Sequence, residues 1–161
     1  MKYTRLTKEQ FEELHPEFIN YLAAQGVDAD LWTKIKATDA QKADHHLDQF
    51  SDIVWANVLK EVKYLEHFSA SQIFMFEFGA EKMKLIAIRV TNKPDVDLTT
   101  KEGYQWLREH LLDDDVEVFT SDKDYQKNRH EDAFKIIEQG GNVTKGELYQ
   151  YFDKLFFSED E

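Results

Sequence analysis

Cysteine is absent from the 161 residues, which excludes disulfides, thiolate nucleophiles, zinc fingers and iron–sulfur ligation. Two prolines and six glycines leave no basis for collagen-like or low-complexity architecture. With 42% hydrophobic and 14% aromatic residues, the chain is too apolar for intrinsic disorder. No apolar run approaches the ~20 residues that span a bilayer, and the opening Met1 to Glu9 lacks the apolar centre of a signal peptide. The length fits one domain at ~100–200 residues each. These absences predict a soluble, cytoplasmic protein that does not meet a membrane.

Charge is present in excess and of one sign. Lys and Arg number 20 against 32 Asp and Glu, a formal net charge of −12. Such a field repels phosphate backbones, so direct nucleic-acid binding is not expected. The excess lies in the last third, where residues 99–161 hold 8 basic and 16 acidic side chains. Asp113, Asp114 and Asp115 and the run Ser158 to Glu161 contribute to it. Such runs read as solvated loop and tail, though Asp113–Asp115 are also candidates to meet a basic partner.

Helix-start signals recur as a small oxygen-bearing side chain followed three residues later by one that can complete a reciprocal cap. Thr7 with Gln10, Thr99 with Glu102 and Thr144 with Glu147 fit this pattern. Behind Thr7, Phe11, Leu14, Phe18, Ile19 and Leu22 form one apolar stripe, which Pro16 should kink or split. Gly26 ends it, Asp28 or Asp30 caps a short helix, and Asp39 opens a longer one containing Leu47, Phe50, Val54 and Val58. The period changes at Tyr64–Phe68 and Gln72–Phe78, which read as strands. Gly79 to Lys82 is a reversal into Met83–Val90, where Ile86, Ile88 and Val90 face one way. A helix over about 100–112, a short strand at Val116–Phe119, a polar connector over 122–129 and two closing helices complete the chain.

Candidate chemistry is sparse. His45 and His46 with Asp44 and Asp48 are the densest group of metal ligands, but adjacent helical histidines point about 100° apart and cannot grip one ion together. Asp122, Asp124, Gln126 and Asn128 imitate a calcium loop, yet Lys127 stands where Gly is required and Ala133 where Glu is required. The element order suggests a metal-dependent nuclease core, but Met83–Val90 carries no carboxylate and Glu61-Val62-Lys63 lies at a helix boundary. No phosphate loop and no nucleophile elbow occurs. Glu66, His67, Glu77 and His110 could form an enzyme site only if folding gathers them.

Several stretches spread over nearly the whole chain are distinctive: Lys2–Leu6, Phe11–Ile19, Phe50–Trp55, Tyr64–Ser69, Asp97–Leu107 and Lys145–Leu155. In them the chain resembles an uncharacterised, domain-of-unknown-function family of small acidic proteins from Bacteroidota. The resemblance implies one full-length domain and lends no activity, cofactor or catalytic residue.

The expected fold is α+β in a single domain over 1–161. N-terminal helices (1–63) pack on a small, mainly antiparallel sheet of three to four strands with one helix (64–120), followed by C-terminal helices (121–157) and an acidic tail (158–161). The leading expectation for function is a non-catalytic protein-interaction module with no metal and no cofactor. Its expected anchors are Tyr149, Tyr151, Phe156 and Phe157, together with Asp113–Asp115. The alternative is an acidic inhibitor or immunity-type protein, able to mimic nucleic acid, acting on a basic partner.

Overall fold

Pro16 decides how the chain starts. A computed structural model describes residues 1–157, and in it the first apolar stripe is split into α1 (Lys8–Glu13) and α2 (His15–Ala24), with Pro16 in the first turn of α2 where its missing N–H costs nothing. Thr7 and Gln10 close a reciprocal capping box at 3.2 and 2.8 Å. Gly26, at φ +78°, ends α2 with Val27 N–H on the Leu22 carbonyl and Gly26 N–H on that of Ala23, at 2.8 and 2.9 Å. Asp28 then caps α3 (Ala29–Thr38), and α4 (Ala40–Glu61) follows with Asp39 accepting from Lys42 N–H.

By chain contacts the protein divides into two compact units, Met1–Lys60 and the remainder from Glu61. The first unit is built on aromatic packing. Phe18, Trp32 and Phe50 are buried with Leu22 and Ile35, and Phe11 and Tyr21 pack against them. Phe18 meets Phe50 at 5.1 Å and Trp32 edge-on at 5.4 Å, separations at which ring pairs add to simple area burial. The extended start of the chain is tied along α4. Lys2 N–H and Tyr3 N–H donate to Asp52, and Leu6 N–H donates to the fully buried Ser51 hydroxyl, which itself donates to the Leu47 carbonyl. An orphaned amide there would cost about 1–3 kcal/mol.

The second unit is a five-stranded antiparallel sheet in the order β4-β3-β2-β1-β5, with strands β1 (Tyr64–Phe68), β2 (Gln72–Phe78), β3 (Lys82–Val90), β4 (Val116–Asp124) and β5 (Asn142–Thr144). Alternation sorts its two faces. Met75 lies opposite Ile86 and Glu66, and Ile73 lies opposite Ile88 and Phe68, so these side chains share one face. That face carries the core, completed by Leu98, by Leu107 of α5 (Lys101–Glu109), and by Tyr149 and Phe152 of α7 (Glu147–Phe157). On the other face, Phe76, Met83 and Leu85 share a cleft with Lys135, Ile136 and Gln139, three residues of α6 (Arg129–Glu138) and its C-cap.

The α+β class with helices at both ends matches the expectation; the strand count is five rather than three to four. Three local readings are corrected. The short strand read at Val116–Phe119 runs on through 120–124, into the stretch read as a polar connector, as the edge strand β4 paired to β3 as far as Lys82↔Asp124. Thr144 does not cap α7: it pairs with Tyr64 as the end of β5, and its hydroxyl accepts from Gly146 N–H at 3.1 Å. Thr99 does not cap α5 either. Its N–H and hydroxyl are both committed to the Asp97 carboxylate, at 2.9 and 2.6 Å, so Thr100 caps instead by accepting from Gly103 N–H. The expected acidic tail, 158–161, lies outside the described residues.

Candidate functional site

The two helices on the core-bearing face of the sheet leave a groove of about 700 Å³ over its β1–β5 edge. On α5 the wall is Lys101, Tyr104 and Arg108, three residues whose steps of three and four keep them on one helix face. On α7 it is Glu147, Leu148 and Tyr151. Phe68 and Leu98 provide an apolar floor, while Glu66, Thr144 and Lys145 bring polar groups from the sheet edge. A volume of this size falls in the range of sites that hold a small ligand or a few residues of a peptide.

Both helices begin beside the groove, α5 at Thr99–Lys101 and α7 at Lys145–Leu148, so the partial positive charge of each helix start is directed there. Arg108 lies over the Tyr151 ring at 5.2 Å and donates to the Tyr151 hydroxyl at 3.4 Å. Glu66 is partly buried, and its carboxyl is raised above its ordinary value. Burial is the main cause and the charge of Glu147 adds to it, against a hydrogen bond with Thr144 that favours the ionised form. Tyr104 is raised likewise, mainly by burial.

Residues 1–157 match a family described as a family of unknown function, DUF6495. The chain belongs to that family. No curated protein and no solved structure matches it.

Of the four residues that could have formed an enzyme site, the groove holds Glu66 alone. His67 projects from the opposite face of β1, stacked on Phe74 and close under Gly140. Glu77 accepts from the Tyr64 hydroxyl at 3.0 Å, and His110 is stacked on Trp106 at 4.4 Å with Nδ1 against the Trp106 carbonyl. Folding does not gather them around one cavity.

The anchors read from sequence divide by environment. Tyr149 is 5% exposed and belongs to the core, where burial raises its hydroxyl well above the ordinary tyrosine value, so it is not available to a partner. Phe156 is half-buried and stacked on Phe152 at 5.7 Å. Tyr151 and Phe157 are exposed, as is Leu155 between them. Asp113 and Asp114 are exposed in the turn before β4, whereas the Asp115 carboxylate accepts from Asn92 and pairs with Lys93 at 3.4 Å. Asp115 thus ties Asn92 and Lys93 to the turn. The cationic wall of the groove was missed. Its residues Lys101, Arg108 and Lys145 lie 35 to 79 positions along the chain from Glu66, and only the Lys101, Tyr104 and Arg108 spacing was a signal available in advance.

The Asp44, His45, His46 and Asp48 cluster is drawn apart in the structure. Asp48 and Asp44 both go to Arg5, at 2.6 and 3.5 Å. His46 is turned inward against Tyr21 and Trp32, with Nδ1 at 3.2 Å from the Tyr21 hydroxyl and a buried Nε2 that meets no partner among the described residues. Burial first, then the neighbouring His45 and Lys42, lower its pKa below 6.5. The unfolded chain therefore takes up a proton that the folded state resists. The contribution of His46 to stability is complete above about pH 6.5 and is lost as pH falls from there toward the lowered folded value. His46→Phe is expected to reduce the loss of stability between pH 7.5 and 5.5, read from urea midpoints at each pH. Parallel curves for the two proteins would show that His46 plays no part.

Proposed function

We propose that the chain is a non-catalytic cytoplasmic protein-interaction module that meets its partner through α7 and the adjoining groove. One observation carries this reading: Tyr151, Leu155 and Phe157 leave large apolar surface exposed on α7, with Tyr151 also walling a groove floored by Phe68 and Leu98. Aromatic side chains beside an apolar cleft are the residues that most often dominate interface energy. The dispersal of Glu66, His67, Glu77 and His110 supports binding over turnover. Among the described residues no helix is long and apolar enough to cross a membrane. The origin in Bacteroidota rests on the resemblance alone.

Changing Tyr151 and Phe157 together to Ser is expected to remove the specific partners from an affinity pull-down. Unfolding midpoints should barely move, because exposed positions usually change stability by within about 0.5 kcal/mol. Partners retained by the double variant would eliminate α7 as the binding face.

A second reading, an acidic inhibitor set against a basic surface, is favoured by the exposure of Asp113 and Asp114 and by the concentration of carboxylates in residues 99–161. It requires association that weakens steeply with salt, and binding indifferent to ionic strength would sink it.

A further inference from the structure

The charge inside the groove runs against the charge of the unit that contains it. Residues 61–161 hold 13 basic and 22 acidic side chains, a net −9, yet the groove is lined by three cations, Lys101, Arg108 and Lys145, and two carboxylates. Among the described residues none of those three cations has a carboxylate within 4.0 Å. Arg108 stands out among the four arginines. Arg5 is held by Asp44 and Asp48, Arg89 by Glu117, and Arg129 donates to the Val62 carbonyl, whereas the guanidinium of Arg108 rests on Tyr151. A planar, forked donor left without a carboxylate partner at the mouth of a cleft is suited to accept one from outside. The two helix starts add to the same sign, and they do so on either side of one opening.

The floor sets the second requirement. Phe68 and Leu148 offer carbon surface, and the groove opens beside exposed Tyr151, one turn before exposed Leu155 on α7. A ligand that answers both features carries an anionic group and an apolar anchor on a chain long enough to pass out along α7. On these grounds, and resting on the interaction-module reading, we propose that the α5–α7 groove receives an acidic peptide segment of the partner protein. One of its carboxylates meets Arg108, Lys101 and Lys145, and a neighbouring aromatic or aliphatic side chain lies on Phe68 and Leu148. Two carboxylates oppose this anion, exposed Glu147 and half-buried Glu66. Both line the same space and weaken any anion there, which selects against segments that lack the apolar anchor.

The test uses the full chain and three short, end-capped, fluorescent probe peptides with the same alternating Leu and Phe residues. Their intervening residues are Glu, Gln or Lys. Anisotropy titration at low salt is expected to rank the Glu probe first by about tenfold over the Gln probe, with the Lys probe weakest. The double variant Arg108→Glu, Lys145→Glu should lose that preference. Glu66→Gln should tighten the Glu probe several-fold, a gain that misfolding cannot produce. A Lys probe bound as tightly as the Glu probe overturns the proposal; so does no measurable binding of any probe, or an unchanged Glu-probe affinity in the double variant. Where the pull-down responds to Tyr151 and Phe157 while the Glu probe is not preferred, the ligand chemistry fails and the interaction-module reading stands. Where the pull-down ignores them, that reading fails as well.

Discussion

Gly103→Ala is expected to destabilise the protein severely, although helix propensity alone argues the reverse. Alanine in a helix interior is favoured over glycine by about 1 kcal/mol. Gly103, however, sits in the first turn of α5 directly beneath the loop that leads into it, and a Cβ built there would lie 1.8 Å from the Asp97 carbonyl oxygen and 2.4 Å from its carbon. These are backbone atoms, so no side-chain rotation relieves the clash. The loop is also pinned, because the Asp97 carbonyl accepts from Thr100 N–H and the Thr100 hydroxyl, at 3.0 and 2.7 Å. Either the Thr100 cap or the seat of α5 on the sheet has to give. The cost should match or exceed the ~1–3 kcal/mol usual for overpacking. Urea unfolding followed by circular dichroism would read it, and a midpoint equal to that of the parent would show that the loop yields freely. Thr99, Thr100 and Lys101 line the groove, so the same variant should also lose binding there.

Phe152→Ala is expected to be comparably damaging for the opposite reason, a void. Phe152 is completely buried on the core-bearing face, with Tyr151 edge-on at 5.0 Å and Phe156 stacked at 5.7 Å. Truncation removes transfer energy and leaves a cavity, about 3–5 kcal/mol for a buried Phe. That is a large fraction of the ~5–15 kcal/mol that holds a typical domain together. Phe152→Leu keeps most of the volume and should cost under about 1.5 kcal/mol. The fluorescence of Trp106 reports on this unit, while Trp32 and Trp55 belong to the other. If the alanine and leucine variants unfold at the same denaturant concentration, the packing account of α7 is wrong.

The elements that could be read in advance are those whose signals are local. Thr7 and Gln10, Pro16, Gly26, Asp28 and Asp39 each act through neighbours within a turn, and each marks a helix boundary in the structure. Strand β2 was legible because Phe74, Phe76 and Phe78 alternate, and β1 because a short aromatic run breaks the helical period. Where two local solutions compete, sequence is ambiguous. Thr99, with Glu102 three residues on, is the cap that the pattern offers, yet Thr100 takes the role because the Asp97 carboxylate engages Thr99. β5 has three residues, too few for a period, and exists because Tyr64, Leu65 and Glu66 offer it a ladder. The groove was illegible for a further reason: its walls come from residues 66–68, 98–108 and 144–151, and only the sheet order brings those segments side by side.

The long outer strand β4 has a bearing on solubility. A nine-residue strand that among the described residues pairs on one side only is a template on which a second molecule could build. Its distal half reads Thr120-Ser121-Asp122-Lys123-Asp124, and all five side chains are exposed. An incoming strand would have to bring its own residues against that alternating charge, with little oily surface in return. The polar stretch that made β4 hard to foresee thus acts as a guard against fibril-like stacking.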